Sequence, residues 1–168
     1  MLLGRKCLGY VTVPSKGKNG NSLIGMQLSQ SLGLNEADGR TFDYFLSWTA
    51  PRIASVLDRD FWCGRVLQLA QAEPMVMHSL LALSTFYEHP QYMTGYSPEL
   101  WLRENNASNI ARSHYSFAIR SFSARMNAGT VTPLLAILSC VLFTCIEVIR
   151  DNAFEALRLL AKGVQMLR

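Results

Sequence analysis

A chain of 168 residues with 49% hydrophobic content is long enough to bury one apolar core, and its length argues against two domains. Its formal charge of +4 is uneven: Arg5, Lys6, Lys16, Lys18 and Arg40 face only Glu36 and Asp38 in the first forty residues, and the near-neutral remainder argues against a globular phosphate reader. Four scattered cysteines, Cys7, Cys63, Cys140 and Cys145, do not make a disulfide-stapled secreted scaffold, and the longest apolar run, residues 134–146, falls short of the roughly 20 residues of a membrane span.

Residues 1–40 intersperse Gly4, Gly9, Pro14, Gly17, Gly20, Gly25 and Gly33 with polar spacers, which breaks any amphipathic helix before Ser22. They read as a flexible basic arm. Arg5 and Lys6 interrupt the only apolar start, so no secretory signal is visible, whereas the acid-free, serine-containing stretch 1–35 also has the composition of a mitochondrial presequence. The folded domain is expected over residues 41–168.

A first helix is predicted over residues 41–48, with Phe42, Phe45 and Leu46 on one side, and Pro51 kinks or restarts it towards Leu57. Asp58 or Asp60 can cap the second, in which Trp62, Val66, Leu69 and Ala70 form one apolar stripe opposite Arg65 and Gln68. Glu73 and Pro74 mark a joint. Proline suits a first helical turn, so a third helix starts there and aligns Val76, Leu80, Leu83 and Tyr87.

Residues 89–106, with Pro90, Gly95 and Pro98, read as a connection. A fourth helix follows over 107–126, burying Ala111, Tyr115, Ala118, Phe122 and Met126, and Asn127 with Gly129 ends it. Thr132 and Pro133 open a fifth helix, apolar nearly all round as far as Glu147, which predicts that it is the central one. Asn152 caps a sixth, whose buried stripe is expected at Ala153, Leu157, Leu160, Val164 and Leu167, with Glu155, Arg158, Lys162 and Gln165 in water. Gly163 costs about 1 kcal/mol inside a helix, which points to close approach of a neighbour.

No catalytic, cofactor-binding or metal-ligating set emerges. Cys140 and Cys145 lie five apart on one helix and point to different faces, so they read as buried structural thiols. His78, His89 and His114 have no carboxylate at a spacing that would orient a ring for catalysis, and neither GxSxG, GxGxxG nor a phosphate-cradling loop occurs. Glu147 ends the apolar run, and a packed ion pair with Arg158 or Lys162, or a helix N-terminus, is its expected partner. Asn106, Ala107 and Ser108 form a sequon that helix capping explains. Lys16 and Lys18 belong to a solvated linker. Ala111, Tyr115 and Ala118 faintly resemble tetratricopeptide helices, which keeps a helical-repeat adaptor as the alternative, although no 34-residue period supports it.

Three runs carry a stronger likeness: DFWCGRVLQLAQAEPMVMHSLLALSTFYE over residues 60–88, HYSFAIRSF over 114–122 and LLAILSCVLFTCIEVIRDNAFEALRLLAKGVQML over 134–167. Their order resembles the regulatory middle homology domain of fungal zinc-cluster transcription factors across residues 41–168. The resemblance implies an all-α domain of about six helices in packed antiparallel pairs, working in the nucleus through protein contacts, self-association or a full-length relative, and not as an enzyme. In that family a six-cysteine, two-zinc cluster reads DNA. Cys7 alone cannot supply its thiolates, so direct DNA binding is not expected, and the chain reads as a truncated relative.

Overall fold

The computed structural model describes residues 32–54, 60–88 and 98–165. Among them every regular element is helical, and there are six. Helix α1 joins Glu36–Tyr44, a π-helical turn at Phe45–Thr49, and Ala50–Ala54 in one rod; α2 joins a π-helical turn at Phe61–Arg65 to Val66–Ala72. The remaining helices are α3 (Pro74–Glu88), α4 (Pro98–Asn127), α5 (Pro133–Ile149) and α6 (Ala153–Gln165). The all-α fold of about six helices expected from the periodicity is what the chain forms. Cys7, Lys16, Lys18, Leu57, Asp58, His89 and Leu167 lie outside the described residues.

Helix α1 begins at Glu36, five residues before the expected start, because Asn35 accepts a hydrogen bond from the Asp38 backbone at 2.8 Å and caps it. Pro51 does not stop this helix. The widened π turn immediately before it lets the rod continue past a residue that has no N–H to donate.

The centre of the molecule is α3, not α5 as expected. It packs against α1, α2, α4 and α5, and eleven of its side chains are buried, from Met75 to Phe86. Three of these are hydroxyls that would argue for a wet face. Ser79 donates to the Met75 carbonyl at 2.7 Å, Thr85 to Leu81 at 2.8 Å, and Ser84 reaches across to the Thr41 carbonyl at 3.0 Å. Each therefore enters the core with its hydrogen bond made, which removes the cost of burying it.

Helix α4 starts at Pro98, so part of the expected connection is helical and Asn106 lies inside the helix rather than capping it. Its buried positions are Ala111, Tyr115 and Ala118, while Phe122 is half-buried and Met126 exposed. Gly129, at φ +66°, closes the helix: its N–H bonds Met126 and that of Thr130 bonds Arg125. Thr132 then caps α5 through the Leu135 N–H. Helix α5 lies between α3 and α6 and exposes Leu134 and Val148 at its ends, and no described helix is long and apolar enough to cross a membrane.

Candidate functional site

Among the described residues no three His, Cys, Asp or Glu side chains are placed to hold a metal ion. Chemistry-bearing residues nevertheless cluster in two places. The first is the turn between α5 and α6. Asp151 adopts a left-handed backbone at φ 57°, which folds the chain back so that the Asn152 N–H meets the Glu147 carbonyl at 2.9 Å.

That turn brings polar groups onto Glu147, which is only 5% exposed. One carboxylate oxygen accepts from Arg150 and the other from the Asn152 amide, each at 2.9 Å. Tyr115 of α4 adds its hydroxyl, and burial together with this carboxylate pushes the phenol well above its ordinary pKa. The Arg150 guanidinium lies 5.8 Å from the ring centres of both Phe86 and Tyr115. Glu147 thus has an ion-pair partner, as its place at the end of an apolar run suggests, but the partner is Arg150 and not Arg158 or Lys162. Arg158 instead pairs with Glu155 at 3.1 Å.

The second cluster joins three helices. His78 of α3 and His114 of α4 share a hydrogen bond between their Nδ1 atoms at 2.8 Å, and His114 Nε2 lies 3.2 Å from the Asp38 carboxylate of α1. His78 also packs on Phe117, with ring centres 4.1 Å apart. Burial, then the neighbouring His114, lowers the His78 pKa. No spacing in the sequence announces this row, because 36 residues separate the two histidines.

Cys140 and Cys145 behave as structural thiols. Cys140 is buried against α6 and Cys145 packs on the core, and burial raises both pKa values, which keeps the thiols protonated. A Cβ on Gly163 would sit 3.2 Å from the Cys140 Cβ, so glycine is what lets α6 come this close to α5.

Helix α6 shows the largest departure from expectation. Its buried side is Ala156, with Leu159 and Gly163 half-buried, while the stripe expected inside points to solvent. Phe154 is 75% exposed and Leu157 67%, and Ala153, Leu160 and Val164 are exposed with them. Small residues allow the helix axes to approach, and the large residues are left outside. Ala153, Leu157, Leu160 and Val164 recur at four, three and four residues, the repeat of a seam that receives another helix.

Compared with known proteins, residues 40–157, well over half of the chain, match the family model described as fungal specific transcription factor domain. No curated protein and no solved structure matches significantly.

Proposed function

The chain belongs to the fungal specific transcription factor domain family, and from this membership we propose that it is a nuclear regulatory module of transcription that acts through contacts with other protein chains and does not read DNA itself. A role in regulating transcription follows from the family. The protein-contact mechanism rests on one observation, the heptad-spaced apolar seam that α6 turns to solvent. Contiguous apolar surface of this kind is costly to leave wet, and its helical spacing suits a partner helix laid along it.

Two features support a contact module, one over a catalyst and the other over a nucleic-acid reader. The Glu147 and His78 clusters are largely satisfied internally, through Arg150, Asn152 and Tyr115 in one case and His114 with Asp38 in the other. Among the described residues α6 carries only Arg158 and Lys162 against Glu155, too sparse a fringe to follow a phosphate backbone.

The test is a transcriptional one. The full chain fused to an unrelated DNA-binding domain is expected to change expression from a reporter bearing that domain's site in a fungal host. Leu157→Glu with Leu160→Glu should reduce the effect to that of the unfused DNA-binding domain, with the helical circular dichroism signal retained. A wild-type fusion that leaves the reporter untouched overturns the regulatory reading, and an effect that survives the double substitution overturns the seam as its means.

A further inference from the structure

Both α4 and α6 run antiparallel to α5: Tyr115 meets Glu147 and Phe122 meets Phe143 on one side, and Asn152 and Gly163 meet Glu147 and Cys140 on the other. Between the two walls, with α5 as floor, lies a groove of about 750 Å³. Clefts of this size hold small organic molecules.

The lining is apolar along its middle and basic along its edges. Ile119 and Phe122 of α4, Phe143 of α5 and Leu159 of α6 supply the apolar stretch. Two carboxylates face the groove, and both are paired: Glu147 with Arg150, Glu155 with Arg158. Arg112 on the α4 wall and Lys162 on the α6 wall make no ion pair among the described residues. Two unneutralised cations therefore flank an apolar floor, at opposite ends of the groove.

We propose that this groove is a binding site for an amphipathic organic anion, a carboxylate or sulfonate whose ring or chain lies on Phe122, Phe143 and Leu159 while its head group meets the cation at one end of the floor, Arg112 or Lys162. An apolar body alone would gain contact with the floor and nothing from the cations. A bare inorganic anion would meet two exposed cations too far apart in the fold to chelate it, with no apolar gain to offset its lost hydration. Only a molecule with both parts uses both features. The groove lies along the inner edge of α6 and the partner seam along its outer face, so each proposal stands or fails without the other.

The probe is 2-naphthalenesulfonate, titrated into the full chain by calorimetry and by ligand-observed NMR at low salt. The expected result is saturable binding at one site per chain. Arg112→Glu with Lys162→Glu is expected to weaken it by about tenfold or more, a loss of about 1.4 kcal/mol or more. Arg112→Gln with Lys162→Gln, gentler on the fold, should give a smaller loss in the same direction. Arg120→Glu, on α4 but outside the groove, removes the same charge elsewhere and should leave binding unchanged. Neutral 2-naphthol and inorganic sulfate should each bind at least about tenfold more weakly than the sulfonate. The proposal is overturned by absence of saturable binding, by affinity that survives both double substitutions, by equal loss in Arg120→Glu, or by sulfate or naphthol binding as tightly as the probe.

Discussion

Glu147 carries its charge inside the molecule because three groups from three places reach it: Arg150 one turn on, Asn152 at the start of α6, and Tyr115 from α4. Removing one member of a buried, hydrogen-bonded pair strands the other, so Glu147→Ala should lower the unfolding free energy by about 3 kcal/mol. Urea denaturation checks this, and Glu147→Gln, which keeps hydrogen-bonding groups in place, should cost less. A loss no larger than that of an exposed substitution such as Gln68→Ala would show that the cluster contributes nothing. The sequence located the carboxylate from the thirteen positions before it, which are apolar except for Ser139 and Thr144. It could not name the partner, because the choice between Arg150 and the cations of α6 depends on the left-handed turn at Asp151. The histidine row makes a pH prediction. His78 has a folded pKa below its ordinary value of 6.5, so the unfolded chain binds the proton more readily. Stability is then full above pH 6.5 and falls as the pH drops below that value towards the lowered folded one. The groups facing His78 are His114 and Phe117 of α4, with Asp38 of α1 beyond His114, and a proton on both rings would set two N–H donors against each other across 2.8 Å. Melting temperatures at pH 7.5 and 5.5 should therefore differ, and His78→Gln, which cannot charge, should narrow the gap; an unchanged gap removes His78 as its source.

At the scale of the helix, two glycines in helical turns should respond to substitution with opposite signs. Gly64, in the π turn that opens α2, has nothing within 4 Å of where a Cβ would sit, so Gly64→Ala should stabilise by about 0.5–1 kcal/mol through backbone entropy alone. Gly163 meets the Cys140 Cβ, an atom fixed to the backbone of α5 that cannot swing away. Gly163→Leu should therefore push α6 off its seat and destabilise by about 2 kcal/mol. Thermal melts of the two variants read both signs, and stabilisation by Gly163→Leu would disprove the close approach. This contact also explains how the face of α6 was misread. Periodicity found the larger stripe, Leu157, Leu160 and Val164, and the usual rule puts the larger stripe inside. The glycine pointed to the other face, since a residue kept small for close approach has to lie on the side that approaches. In α3 one apolar line, Val76, Leu80 and Leu83, was legible, but the burial of its other faces was not, because Ser79, Ser84 and Thr85 enter the core only by bonding backbone carbonyls. Capping and breaker residues were more legible, and Thr132, Gly129 and Pro74 stand where the chain chemistry places them.

For the whole molecule, the decisive quantity is how much apolar surface α6 leaves in water. The core formed by α1 to α5 closes around α3, but on α6 Phe154, Leu157, Leu160 and Val164 stay largely exposed, as does Val148 at the end of α5. Burying a side chain of this size contributes about 1.5–3 kcal/mol, so several such residues on one helix favour association once a matching surface is near. A second copy of the chain would supply that surface. Set antiparallel about a two-fold axis between Leu157 and Leu160, the seam of one copy would place Leu157 against Leu160 and Ala153 against Val164 of the other, so that large and small residues alternate across the contact. Light scattering over a concentration series should then show mass rising from monomer to dimer, without open-ended growth, because an isologous pair of seams closes on itself. Leu157→Glu should hold the chain at monomer mass with its melting temperature within about 3 °C of the parent, since surface substitutions rarely shift stability further. A parent that stays monomeric at high concentration would leave the seam for a different protein chain. A variant that unfolds would show instead that Leu157 supports α6 from within, contrary to its exposure in this fold.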